Sequence, residues 1–244
     1  MPRDADNPVV QAEQSHYHST MYDTAGAAQM RQVGDVSVKP INQVHQHLCG
    51  LHIYAHDGGR AVKAHHFCTH LRPDLHQCII YDSDDKNAKL IVGIEYLIPE
   101  DKFMQLPEDE KKYWHSHKYE VDSGMLAMGT KSLVPNAVSD LAERPAMLEL
   151  HRTYGKTTHT WFIDKYPDIP LGAPQIMMAY TDDSQVDKAL LQKRDDEMGI
   201  DTAAKRKVRH GYLKKEDLER PPADGADQLW VKGRKGQLEW KDLE

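Results

Sequence analysis

The sequence predicts an α+β fold, a mainly antiparallel sheet with flanking helices in a single domain. Two observations carry this. Segments with strand character follow one another between positions 61 and 98, while helical patterns gather toward the two ends. The 244 residues are 39% hydrophobic, enough for one sizeable core. The organisation expected is a flexible leader over residues 1–34, a folded α+β domain over 35–200, and a charged helix with an extended tail over 201–244.

Taken in order, the leader is polar and lacks apolar periodicity. The body opens at Pro40, a residue suited to the first position of a helix. Ile41, Val44, Leu48, Leu51 and Ala55 then recur at three- and four-residue spacing. That predicts a helix, which Gly58 and Gly59 stop. Residues 61–71 and 75–82 read as strands, and 82–87 carry turn chemistry. Residues 88–98 form the clearest strand. There Leu90, Val92, Ile94, Tyr96 and Ile98 share one face, while Ile91, Gly93, Glu95 and Leu97 share the other. Pro99 and Pro107 each open a short acidic helical turn. A strand is expected over 119–128, and a helix broken near Pro145 over 135–154. Two more strands follow over 157–163 and 175–180, then surface helices over 186–198 and 202–218. From about Arg220 the prolines and glycines predict an extended tail, clipped to the body by Trp230 and Trp240.

Composition excludes several classes of function. The longest apolar stretch runs from Leu90 to Ile94, and a bilayer span needs roughly 20 such residues. A transmembrane helix is therefore not expected, and residues 1–6 lack the apolar core of a secretory signal. The net charge of -7 disfavours nucleic acid, because the basic runs 205–207 and 214–215 are interleaved with acids. The three cysteines, Cys49, Cys68 and Cys78, fit no disulfide framework. Reduced thiols in a soluble, cytoplasmic protein are the expectation.

Histidine is the most informative residue type. Of 15 histidines, ten lie between positions 45 and 117. On the predicted first helix, His45, Cys49, His52 and His56 form one stripe. In the next strand His66, Cys68 and His70 alternate onto one face. A third group holds His115, His117 and Glu120. Imidazole and thiolate are the usual protein ligands of Zn, Fe and Cu, so a transition-metal site is predicted from His66, Cys68, His70, His115, His117 and Glu120. Glu95 is placed beside it as an orienting residue or catalytic base. The bland reading is that these histidines only hydrogen-bond within the sheet, and neither a Cys-x-x-Cys nor a His-Glu-x-x-His motif is present. His115-Ser-His117-Lys-Tyr-Glu120 resembles the first cupin motif, which points to the alternative of a cupin-like, metal-dependent oxidoreductase acting on a small molecule. Glu120 sits one residue short of that pattern, and Gln175 stands where a second-motif histidine belongs.

Longer strings carry a second resemblance. Residues 44–56, with His45, His47, Cys49, His52 and His56, are followed by 64–70, 77–84 and 93–96, then by 113–121 around His115 and His117, and by 154–157 and 170–178. In this order, over about residues 40–182, they resemble the oil body-associated protein family. The resemblance implies peripheral association with the lipid droplet surface. It implies no agreed catalytic residues, and relatives outside seed plants argue that the droplet role is not ancestral.

Overall fold

The computed structural model describes residues 40–85, 88, 91–129, 136–239 and 241. The predicted leader and Trp240 lie outside these. From Val44 onward the chain forms one compact unit. Its elements, in order, are β1 (Gln46–Tyr54), β2 (Asp57–Arg72), β3 (Leu75–Tyr81), β4 (Ile91–Pro99), α1 (Glu100–Met104), α2 (Glu108–Lys111), β5 (His115–Ser116), α3 (Lys118–Asp122), β6 (Ala127–Met128), α4 (Asn136–Leu150), β7 (Thr153–His159), β8 (Gln175–Met178), α5 (Lys188–Met198), α6 (Thr202–His210), α7 (Lys215–Glu219) and α8 (Gln228–Val231).

Strand β1 pairs with β2, then β2 with β3, β3 with β4, β4 with β7, β7 with β8, and β8 with β1 again. Every pairing is antiparallel, and the ring closes. The expected antiparallel sheet is thus a six-stranded barrel among the described residues, which removes the exposed edges an open sheet would carry. Short β5 adds to β7, and β6 adds to β1.

Strand β1 corrects an expectation, since residues 40–56 were predicted to be a helix. From Leu48 to Tyr54 every residue is buried. Leu48, His52 and Tyr54 point into the barrel, while Leu51 and Ile53 pack outward against Met125, Leu190, Leu191 and Leu229. A strand covered on both faces has no polar side, so its apolar residues fall at helical spacings as readily as at strand ones. Residues 119–128 correct a second expectation, since most of that stretch is α3 and the turn after it. Helix α4 runs unbroken through Pro145, with Met147 and Leu150 held in the core. The prolines at 99 and 107 do open α1 and α2. Trp230 tethers the tail by donating to the Ala179 carbonyl at 2.7 Å.

The barrel interior has three layers. One end is apolar, with Leu48, Leu97, Val121, Leu126, Met147 and Leu150. The other is closed by Tyr54, Val62, Ala64, Ile80 and Met177 under Phe162 and Ile163. The layer between them is polar, and there the chemistry collects.

Candidate metal centre

Glu95 lies at the middle of the polar layer, 1% exposed. Its side chain points inward because Gly93, Glu95 and Leu97 share one face of β4. Four imidazoles surround it. His66 Nε2 is 2.9 Å and His52 Nε2 3.6 Å from Oε2. His117 Nε2 is 3.1 Å and His115 Nε2 3.3 Å from Oε1. All four histidines are buried. Among the described residues, the ion pairs of Glu95 are with histidines alone.

The elements explain the convergence. His52 comes from β1 and His66 from the neighbouring β2. His115 pairs with Gly155 of β7, and the His117 amide donates to the Thr153 carbonyl. Gly155 leaves the space that Glu95 and His115 fill. A methyl there would lie 2.0 Å from Glu95 Oε1. A small void of about 10 Å³, close to one water in size, adjoins the cluster. It is lined on the polar side by His52, His66, Glu95, His117 and Glu120.

The hydrogen bonds assign tautomers. The Thr153 hydroxyl donates to the Leu150 carbonyl at 2.8 Å. It can therefore only accept from His117 Nδ1, at 2.8 Å. This places a proton on His117 Nδ1 and leaves Nε2, aimed at the Glu95 carboxylate, either to bind a cation or to donate as part of an imidazolium. Two lone-pair atoms facing each other at that distance repel unless a proton or a cation lies between them. His52 Nε2 and His66 Nε2 face each other at 3.0 Å, while His52 Nδ1 meets His159 Nε2 at 2.9 Å. His66 Nδ1, His159 Nδ1 and both ring nitrogens of His115 lack a well-aligned partner among the described residues.

Burial alone would push the Glu95 carboxyl up, yet the four imidazoles hold it well below the usual carboxylate range. Burial drives His52 down to about 4 and His159 well below its ordinary value, so both rings are neutral. His115 is raised: its own burial opposes this, and Glu95 prevails. Glu120 is pushed up, first by burial. His66 and His115 can each donate an N–H to Glu95, since nothing among the described residues claims their Nδ1 atoms. The same nitrogens and carboxylate are a donor set that could hold a cation.

The predicted site residues fall into two groups. His66, His115, His117 and Glu95 are brought together, and Glu120, on α3, borders the same void. Cys68 and His70 are not part of the cluster. Cys68 stands directly opposite Cys78 in the β2–β3 register and is disulfide-bonded to it. This corrects the expectation of reduced thiols and removes Cys68 as a thiolate ligand. Cys49 is the free cysteine. His70 sits at the exposed end of the same hairpin, stacked on His76 with centroids 3.8 Å apart. His52 was set on a helical stripe apart from the predicted site, and His159 was missed. Reading residues 46–54 with period two would have set His52 on the same face as Leu48; His159 had no such signal. The cupin comparison also changes, because the central carboxylate is Glu95 of β4 rather than Glu120. Gln175 pairs with His159 in the β7–β8 register and is buried.

Comparison with known proteins identifies relatives of this chain. Residues 38–213 match the family described as "Protein of unknown function (DUF1264)". The chain is 39% identical to oil body-associated protein 1B of Arabidopsis thaliana over 237 residues, covering 97% of this chain and 90% of the relative. It is 42% identical to oil body-associated protein 1A of Zea mays over 170 residues, covering 70% and 68%. Oil body-associated protein 2A of Zea mays is 36% identical over 215 residues, covering 86% and 78%. No solved structure gives a significant match.

Proposed function

The chain belongs to the oil body-associated protein family, and from that premise we propose that it is a metalloprotein holding a transition metal inside its barrel and associating peripherally with lipid droplets. The droplet part is supported by the names of its relatives. The metal part rests on one observation, His117 Nε2 directed at a buried carboxylate while its Nδ1 is committed to Thr153. Histidines that ligate metals have this arrangement, with the far nitrogen fixed by a second partner. His52, His66, His115 and His117 would supply nitrogen, and Glu95 oxygen. A donor set rich in nitrogen suits Zn, Fe or Cu over Mg or Ca.

A second reading, a metal-dependent oxidoreductase, is favoured by the void beside the donors. Catalytic metal sites keep a coordination position for an exogenous ligand, and this void accepts something the size of water. A larger substrate would require the apolar layer of Leu48, Leu97, Leu126 and Leu150 to move. In that reading Glu95 is a metal ligand rather than the free catalytic base expected from sequence.

Elemental analysis of untagged protein, offered Zn, Fe and Cu separately, tests the metal. Wild type is expected to retain at least about one ion per chain, because protein sites of this kind bind tightly. A His66→Ala, His117→Ala double variant is expected to lose it. Wild type holding less than about 0.2 ion per chain after all three offers would refute the proposal.

A further inference from the structure

We infer that the barrel holds two metal ions bridged by the Glu95 carboxylate, one on the His52 and His66 side and one on the His115 and His117 side. This rests on the metal-centre reading above and specifies its nuclearity. The histidines do not crowd one oxygen. His66 and His52 face Oε2, at 2.9 and 3.6 Å. His117 and His115 face Oε1, at 3.1 and 3.3 Å. Two three-donor groups result, His52–His66–Glu95 and Glu95–His115–His117, and in each the donor atoms lie within 4.8 Å of one another. Each group supplies two nitrogens and one oxygen, the protein ligand count of an open metal site.

A single ion uses this arrangement poorly. Placed on Oε2, it engages His52 and His66 and leaves His115 and His117 unused. Placed on Oε1, it engages His115 and His117 and leaves His52 and His66 unused. Two ions employ all four nitrogens. A carboxylate can bridge two ions through its two oxygens, and two-metal sites hold their ions about 3.5–4 Å apart.

The supporting contacts also come in two sets. On one side His159 Nε2 meets His52 Nδ1 at 2.9 Å, and on the other Thr153 fixes His117 Nδ1. Glu120 borders the void alongside ligands of both groups. It is 2% exposed, and its side chain has no ion pair among the described residues. It can complete the coordination of either ion. The exogenous ligand that fits between the groups is a water-sized oxygen donor.

The test combines a count with a distance. Untagged wild type is loaded with Zn, Fe or Cu, the ions are counted per chain, and X-ray absorption is recorded at the metal edge. Two ions per chain with a metal–metal vector of about 3.5–4 Å are expected. Glu95→Gln is expected to abolish that vector. His115→Ala with His117→Ala is expected to halve the count. One ion per chain would overturn the bridged pair and leave the metal centre standing; none would overturn both. Two ions without a short vector would also overturn the pair. They would place the second ion elsewhere, for instance at His47, His65 and Asp84 on the outer face of the barrel. The wild-type measurement decides on its own should a variant fail to fold.

Discussion

At Gly155 a single methyl group is enough to challenge the site. It would lie 2.0 Å from Glu95 Oε1 and 2.8 Å from His115 Nε2, both fully buried and held from several sides. Overpacking of this kind costs typically about 1–3 kcal/mol. Gly155→Ala is therefore expected to lower both the melting temperature and the metal content. An unchanged metal count in a folded variant would mean that the Glu95 side chain has room to move. The Cys68–Cys78 bridge makes a second claim at this scale. Closing a loop with a sequence separation of 10 contributes about 3 kcal/mol on the chain-entropy estimate. Reductant is expected to lower the melting temperature by several degrees, and Cys68→Ala with Cys78→Ala to reproduce the shift without reductant. Two free thiols more than Cys49 alone, titrated in native non-reduced protein, would contradict the bridge. The sequence could not reveal this pairing, since an odd set of three cysteines offers three pairs, and only the strand register selects one.

Helices α3 and α6 are joined through one carboxylate. Asp183 accepts from the Tyr119 hydroxyl at 2.6 Å and from Arg206 Nη1 at 3.0 Å. Arg206, followed by Tyr119, lowers the Asp183 carboxyl to about 2. A depressed folded-state value contributes stability that is present above the unfolded value near 3.8 and lost as pH falls through about 2. Asp183 is well exposed, so the contribution is discounted to about 0.5–1 kcal/mol. Asp183→Asn is expected to destabilise by that amount in urea at pH 7. The gap should narrow below pH 4, and a constant gap down to pH 2 would rule out the charge as its source. Legibility also differed by element. Strand β4 could be read because one of its faces is half exposed at Ile94 and Tyr96, so its alternation survives in the sequence. Strand β1 could not, because helices cover one of its faces and the barrel interior the other.

Over the whole molecule, the relatives carry the name oil body-associated protein. None of the helices among the described residues is long and apolar enough to cross a membrane. If the proposed peripheral association holds, carbonate or high-salt washing should release the protein from isolated droplets. Retention through both washes would point to an embedded segment. What the sequence by itself determined was the inventory and the local alternation. It sets Glu95 on one face with Gly93 and Leu97, pairs His115 with His117, and places residues 40–182 in a recognisable family. Such information is local, fixed by the two-residue period of a strand and by the order of motifs. Only the tertiary structure decided that β1 is a strand, that six strands close into a barrel, that Cys68 meets Cys78, and that His52 and His159 join the interior. His52 and His159 are 107 positions apart and meet at 2.9 Å. Contacts of that range depend on register and ring closure, which belong to the strands together and leave no periodic trace in any one of them.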